Sequence, residues 1–139
     1  MIVIALKGKI GIFGGITYDD EDTIKSQLRV KYNNKLLKLL KNNEIDPDTK
    51  NFITLMKPMI AGMLGEMGDN MQFYLFKPNE PIDVYKKGEL EFELGDFVST
   101  NNLPLGSLLE EKKCPQTNKL HNGKWKYCPF HGGELIQKK

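Results

Sequence analysis

The spacing of apolar and polar residues changes several times along this chain, and each change predicts an element. Ile2-Val3-Ile4-Ala5-Leu6 is a short apolar run rich in β-branched residues, and Lys7-Gly8-Lys9 can turn it back. Ile10, Ile12 and Gly14 then alternate with Gly11, Phe13 and Gly15, so the chain is expected to open with a β-hairpin. Asp19-Asp20-Glu21-Asp22 offers capping oxygens and negative charge to a helix starting near Glu21. Ile24, Leu28, Tyr32, Leu36, Leu39 and Leu40 recur at helical spacing and carry that helix to about Asn42, with lysines over much of the remaining surface. Asp46 or Asp48 can cap a second helix, with Pro47 at its start, running to about Met67. Its apolar face is Phe52, Met56, Met59, Ile60, Met63, Leu64 and Met67, and Pro58 is expected to kink or split it.

Beyond Gly65, Gly68, Asp69 and Asn70 the period shortens. Gln72–Phe76 and Ile82–Tyr85 read as strands, and Glu89-Leu90-Glu91-Phe92-Glu93-Leu94 alternates throughout, with the leucines and Phe92 inward and three glutamates outward. Ser99-Thr100-Asn101-Asn102-Leu103-Pro104 is polar and ends in proline, which marks a boundary. Ser107 can cap a short helical turn after it. The chain has no internal repeat and no low-complexity tract. The expectation is an α+β body over residues 1–98, a linker over 99–111 and a distinct C-terminal element over 112–139.

Composition changes this picture in one respect. The length of 139 residues and the apolar fraction of 40% suit a domain with a real core plus a small appendage. No apolar run approaches membrane-spanning length, and no signal-peptide pattern opens the chain, so the setting is expected to be cytoplasmic. The net charge of +2 is unevenly placed: residues 1–111 carry 13 Lys/Arg against 17 Asp/Glu, while residues 112–139 carry seven Lys against one Glu. The C-terminal element is thus the basic end of a mildly acidic body.

That basic end also holds the candidate chemistry. The only two cysteines and only two histidines fall together as Cys114-x6-His121-x6-Cys128-x2-His131. Thiolate and imidazole are the ligands structural zinc prefers, in a closed four-coordinate set. A Cys114–Cys128 disulfide and free thiols with incidental histidines are the alternatives. The segment Lys126-Tyr127-Cys128-Pro129-Phe130-His131-Gly132-Gly133-Glu134-Leu135 resembles the second knuckle of a zinc ribbon, K-[FY]-C-P-x-C-G-x-x-L, with His131 where a second cysteine usually stands. Cys114-Pro115 opens a first knuckle in the same manner, but its partner, His121, lies six residues further instead of two or three. The resemblance covers about the last 25 residues and implies a structural Zn2+ held by Cys114, His121, Cys128 and His131.

Three kinds of function remain. Five of the six methionines lie between Met56 and Met71, and Met56, Met59, Met63 and Met67 can form a protein interface, although helix packing in the core is the simpler explanation of the stripe. Trp125 is interleaved with Lys119, Lys124 and Lys126, and with Tyr127 and Phe130 nearby this suits a nucleic acid, as stacking surfaces beside phosphate partners. A zinc-dependent hydrolase is the third reading, with Glu134 as a distant base. No nucleophile–base pair can be assembled, because both histidines are committed to metal, so an adaptor or assembly subunit stands first, with a protein partner or self-association through the methionine-rich helix and the zinc-held C-terminal element. The glycine-rich Gly8–Gly15 stretch lacks the Gly-Lys-Ser/Thr ending of a phosphate loop.

Overall fold

The computed structural model describes residues 1–138. In chain order the elements are β1 (Ile2–Ala5), β2 (Gly8–Ile10), β3 (Ile16–Tyr18), α1 (Glu21–Gln27), β4 (Leu28–Tyr32), β5 (Lys35–Leu36), β6 (Lys38–Leu39), α2 (Pro47–Leu64), α3 (Glu66–Asp69), β7 (Gln72–Lys77), β8 (Gly88–Leu94), β9 (Phe97–Leu103), β10 (Lys112–Lys113), β11 (Leu120–His121) and β12 (Ile136–Gln137). The fold is α+β with small antiparallel sheets, and among the described residues no helix is long and apolar enough to cross a membrane.

Two sheets build the body, in the orders β5-β4-β8-β9 and β1-β7-β6. Ile24 of α1, Leu28, Val30 and Tyr32 of β4, Leu37, Tyr74 and Phe76 of β7, Leu90 and Leu103 form one buried cluster. The chain crosses between the sheets at Leu37, whose N–H donates to Val30 O (2.8 Å) just before β6 pairs with β7. The helix starts are capped as expected: Asp20 Oδ1 accepts from Thr23 N (2.7 Å) and Asp46 Oδ1 from Thr49 N (2.8 Å).

The N-terminal hairpin is present, but its strands are not the expected pair. β1 pairs with β7, and the hairpin joins β2 to β3 through Gly11–Gly15. The long first helix is also corrected: α1 ends at Gln27 and the chain continues as β4 and β5. Leu28, Val30 and Tyr32 are buried while Arg29 and Lys31 are not, a period of two. Leu28, Tyr32 and Leu36 had suggested a helix because a spacing of four fits both periods. What decides is Asn33-Asn34, both at positive φ (49° and 63°), the two-residue turn that joins β4 to β5. Residues Ile82–Tyr85 form no strand; Asp83 instead accepts from Tyr85 N (3.0 Å) in a turn. Two of the three outward glutamates of β8 are engaged in the sheet, since Lys31 Nζ lies 2.8 Å from Glu91 Oε1 and also bonds Glu93. Ser99–Leu103, expected as linker, is the second half of β9 and pairs with β8 along its whole length.

α2 departs furthest from a core helix. It runs through Pro58 and breaks at Gly65 (φ 58°), after which α3 folds back so closely that a Cβ on Gly68 would meet Ile60 O at 2.5 Å. It buries no residue, and Phe52, Leu55, Met59 and Met63 are all exposed, the last two at 52% and 76%. At about 100° per residue these four lie on one strip, while the half-buried Ile53, Met56 and Ile60 form a neighbouring strip. A cavity of about 410 Å³ separates Ile53 from Leu39, Phe73 and Leu75.

Tyr74 ties α1 to the sheet, its hydroxyl donating to Glu21 O (2.9 Å). Burial, then the carboxylates of Glu21, Asp22 and Asp20, push its pKa up to about 12. The folded phenol therefore holds its proton above the unfolded value of about 10, so the associated stability is complete below pH ~10 and is lost as pH rises towards 12. Urea midpoints should fall across that window in the wild type, and Tyr74→Phe, weaker at pH 8 for lack of the hydrogen bond, should fall less steeply.

Candidate metal centre

Two turns of the same design position the cysteines. Cys128 N donates to Gly133 O (2.8 Å) and Gly132 N to Cys128 O (2.8 Å), with Gly132 at φ 66°. Cys114 N donates to Lys119 O (2.9 Å) and Asn118 N to Cys114 O (2.9 Å), with Asn118 at φ 59°. Lys113-Cys114-Pro115-Gln116-Thr117-Asn118 is thus a short copy of Tyr127-Cys128-Pro129-Phe130-His131-Gly132, so the likeness of the two Cys-Pro openings extends through the whole turn. The shared Cys-Pro and the αL residue four positions on, Asn in one and Gly in the other, were the available signal. Thr117 stands in the first turn where His131 stands in the second. Hydrogen bonding from Thr117, side chain first and backbone second, pulls the Cys114 thiol down to about 6.

These turns converge. Ligand atoms of Cys114, Cys128 and His131 all lie within 4.8 Å of one another, and both cysteines are buried and free. His131 Nδ1 is 3.6 Å from Cys114 Sγ and 3.4 Å from Cys128 Sγ; His121 Nε2 is 3.7 Å from Cys128 Sγ. A tetrahedral ion with metal–sulfur bonds near 2.3 Å and metal–nitrogen bonds near 2.05 Å sets sulfur and nitrogen about 3.6 Å apart. The two His131 separations fit that edge, so this Cys2His group can hold a metal ion. His121 stands beside the group on the Cys128 side, outside the tight cluster of three.

Around the cluster, β10 pairs with β11 and β12, and a bridge joins Tyr127 to Glu134. Trp125 and Phe130 flank the His121 ring at 5.9 and 6.0 Å between centroids, and both remain substantially exposed. The chain matches no protein-family model, no curated protein and no solved structure. Its chemistry is therefore read from the residues themselves.

The other sequence-derived site residues lie outside this group. Lys119 and Lys126 are exposed, the latter 5.4 Å from the Tyr127 ring centroid. Lys124 is already engaged, its Nζ donating to Asn102 O (2.8 Å) at the end of β9. Glu134 is exposed and lies outside the metal-competent group. Met59, Met63 and Met67 lie in or just beyond α2 and are exposed; Met56 is half-buried.

Lys124 belongs to a seam that fixes the metal centre to the body. Leu105, beyond β9, packs against the body core and donates its N–H to Val84 O (3.1 Å). Gly123 is buried against Leu109 and Glu110, so that an added Cβ would collide with Glu110 O and lie 2.9 Å from Leu109 Cβ. Gly123→Ala should cost roughly 1–3 kcal/mol. Urea unfolding followed by Trp125 fluorescence measures this directly, and an unchanged midpoint would show that the seam is loose.

Proposed function

We propose that this chain is a non-enzymatic adaptor or assembly subunit. Its C-terminal element is held by a structural zinc ion, and a protein partner docks on the exposed strip of α2. The observation that carries this reading is the strip itself. An 18-residue helix that buries none of its residues, yet exposes Phe52, Leu55, Met59 and Met63 in one line, presents apolar surface that a core helix would hide. Methionine adapts its shape to an incoming surface at little cost, which suits docking. Caps at Asp46 and the close return of α3 hold the helix without burial.

Zinc is the ion of choice because the donors are two sulfurs and imidazole, with His121 able to close the shell as fourth ligand. A closed shell leaves no position for water, so the metal organises the element instead of activating a substrate. Residues 112–139 would then act as a stapled unit on the body.

A second reading has its own support: Trp125, Tyr127 and Phe130 are each about half-exposed or more, and Lys119 and Lys126 are exposed and form no salt bridge among the described residues, as a stacking surface for nucleic acid requires. The acidic body and the engagement of Lys124 with Asn102 count against it.

Elemental analysis of the purified chain should find one zinc per molecule, lost in Cys128→Ser, with His121→Ala binding roughly tenfold or more weakly than wild type. Met59→Ser/Met63→Ser should keep the metal and the fold but lose a partner recovered with the wild type, along with binding of an apolar dye. Retention of that partner by the double variant would sink the docking assignment. Steeply salt-dependent binding to single-stranded DNA, abolished by Lys119→Glu/Lys126→Glu, would favour the second reading.

A further inference from the structure

Two incomplete sheets occur at the same end of the sequence. β1 is an edge strand: it pairs with β7 on one side, and among the described residues no strand pairs with its other side. Met1 N donates to Phe76 O (2.8 Å) and Phe76 N to Met1 O (2.9 Å). By antiparallel alternation Val3 and Ala5 also bond to β7, which leaves the N–H and C=O groups of Ile2 and Ile4 directed at the free edge. Neither proline nor a charged residue guards it between Ile2 and Leu6. Beside the edge lies an apolar groove of about 660 Å³, walled by Ile2, Ile4, Leu28, Leu94 and Phe97.

The second fragment is the β2–β3 hairpin. Neither of its strands pairs with any other strand among the described residues, and two strands alone are marginal in water. Its tip is nonetheless well formed, with Gly11 N donating to Gly15 O (2.7 Å) and Gly14 N to Gly11 O (2.9 Å). That tip holds Ile12 and Phe13 in full exposure, at 100% and 102%, and Ile10 is 79% exposed.

The geometry points to a second copy of this chain as the occupant of the groove: each copy lays its Gly8–Tyr18 hairpin along the other's β1 edge, with Ile12 and Phe13 seated between Ile4 and Phe97. An edge without a strand and a hairpin without a sheet are complementary, and one chain supplies both. The pairing would extend β6-β7-β1 to five strands. Lys7 and Gly8, at the root of the hairpin, line the groove that the other hairpin fills, so one two-fold axis near them satisfies both contacts at once. The charges at the groove are already paired: Lys7 Nζ lies 3.6 Å from Asp19 Oδ2, and Glu93 bonds Lys31. The hairpin adds few more, Lys9 being the only lysine, arginine or acidic residue from Gly8 to Tyr18. This contact is separate from the α2 strip and stands or falls without it.

Sedimentation equilibrium of the full-length chain tests the exchange. The wild type should be a dimer at micromolar concentration, and Ile12→Ser/Phe13→Ser, altering fully exposed positions that folding does not use, should weaken it roughly tenfold or more. Ile4→Lys should do the same from the groove side. An equimolar mixture of tip and groove variants should recover dimer, because that heterodimer keeps one of its two contacts. Met59→Ser/Met63→Ser should leave dimerisation unchanged. A monomeric wild type at several hundred micromolar, or a dimer indifferent to the tip variant, would overturn the proposal.

Discussion

The convergence of two thiols and an imidazole is the constraint on which the C-terminal element depends, because burial there is too small to hold it. Cys114, Cys128 and Leu135 form its only buried cluster among the described residues, and each of its strands is two residues long. Elements this small fold only with a staple, since their apolar surface cannot offset the entropy of ordering the chain. The paired Cys-Pro turns, the αL residues Asn118 and Gly132 and the three-stranded ladder all bring donor atoms to one place.

The body obeys the opposite rule. Ile24 and Val30 are completely buried, and the cluster around them joins α1 and both sheets without any polar centre. α2 lies outside that arrangement, with its apolar residues largely in water. The core holds the sheets, while the helix strip, the hairpin tip and the aromatic rim of the candidate metal centre leave apolar side chains exposed at the periphery.

Much of this was legible in the residue pattern, and the exceptions have physical causes. The caps at Asp20 and Asp46 and the alternation of β8 could be read locally, because each depends on neighbours in sequence. The Cys/His spacing gave the metal-competent group for the same reason. The segment after α1 misled because its leucines and Tyr32 recur at four, a multiple of the strand period, and only Asn33-Asn34 separates the two readings. β1 was matched with the nearest strand, whereas its partner, β7, comes about seventy residues later; strand partnership is a tertiary decision that spacing does not encode. Ser99–Leu103 looked like linker because its outward side chains are polar, as an edge strand's often are.

The duplicated turn has a consequence for the electrical state of the centre. Two thiolates would balance a divalent ion, so with Thr117 rather than a third cysteine in the first turn, a site loaded with such an ion would carry no formal charge. A neutral centre would exert little pull on the lysines around it and would leave Lys119 and Lys126 their full positive field.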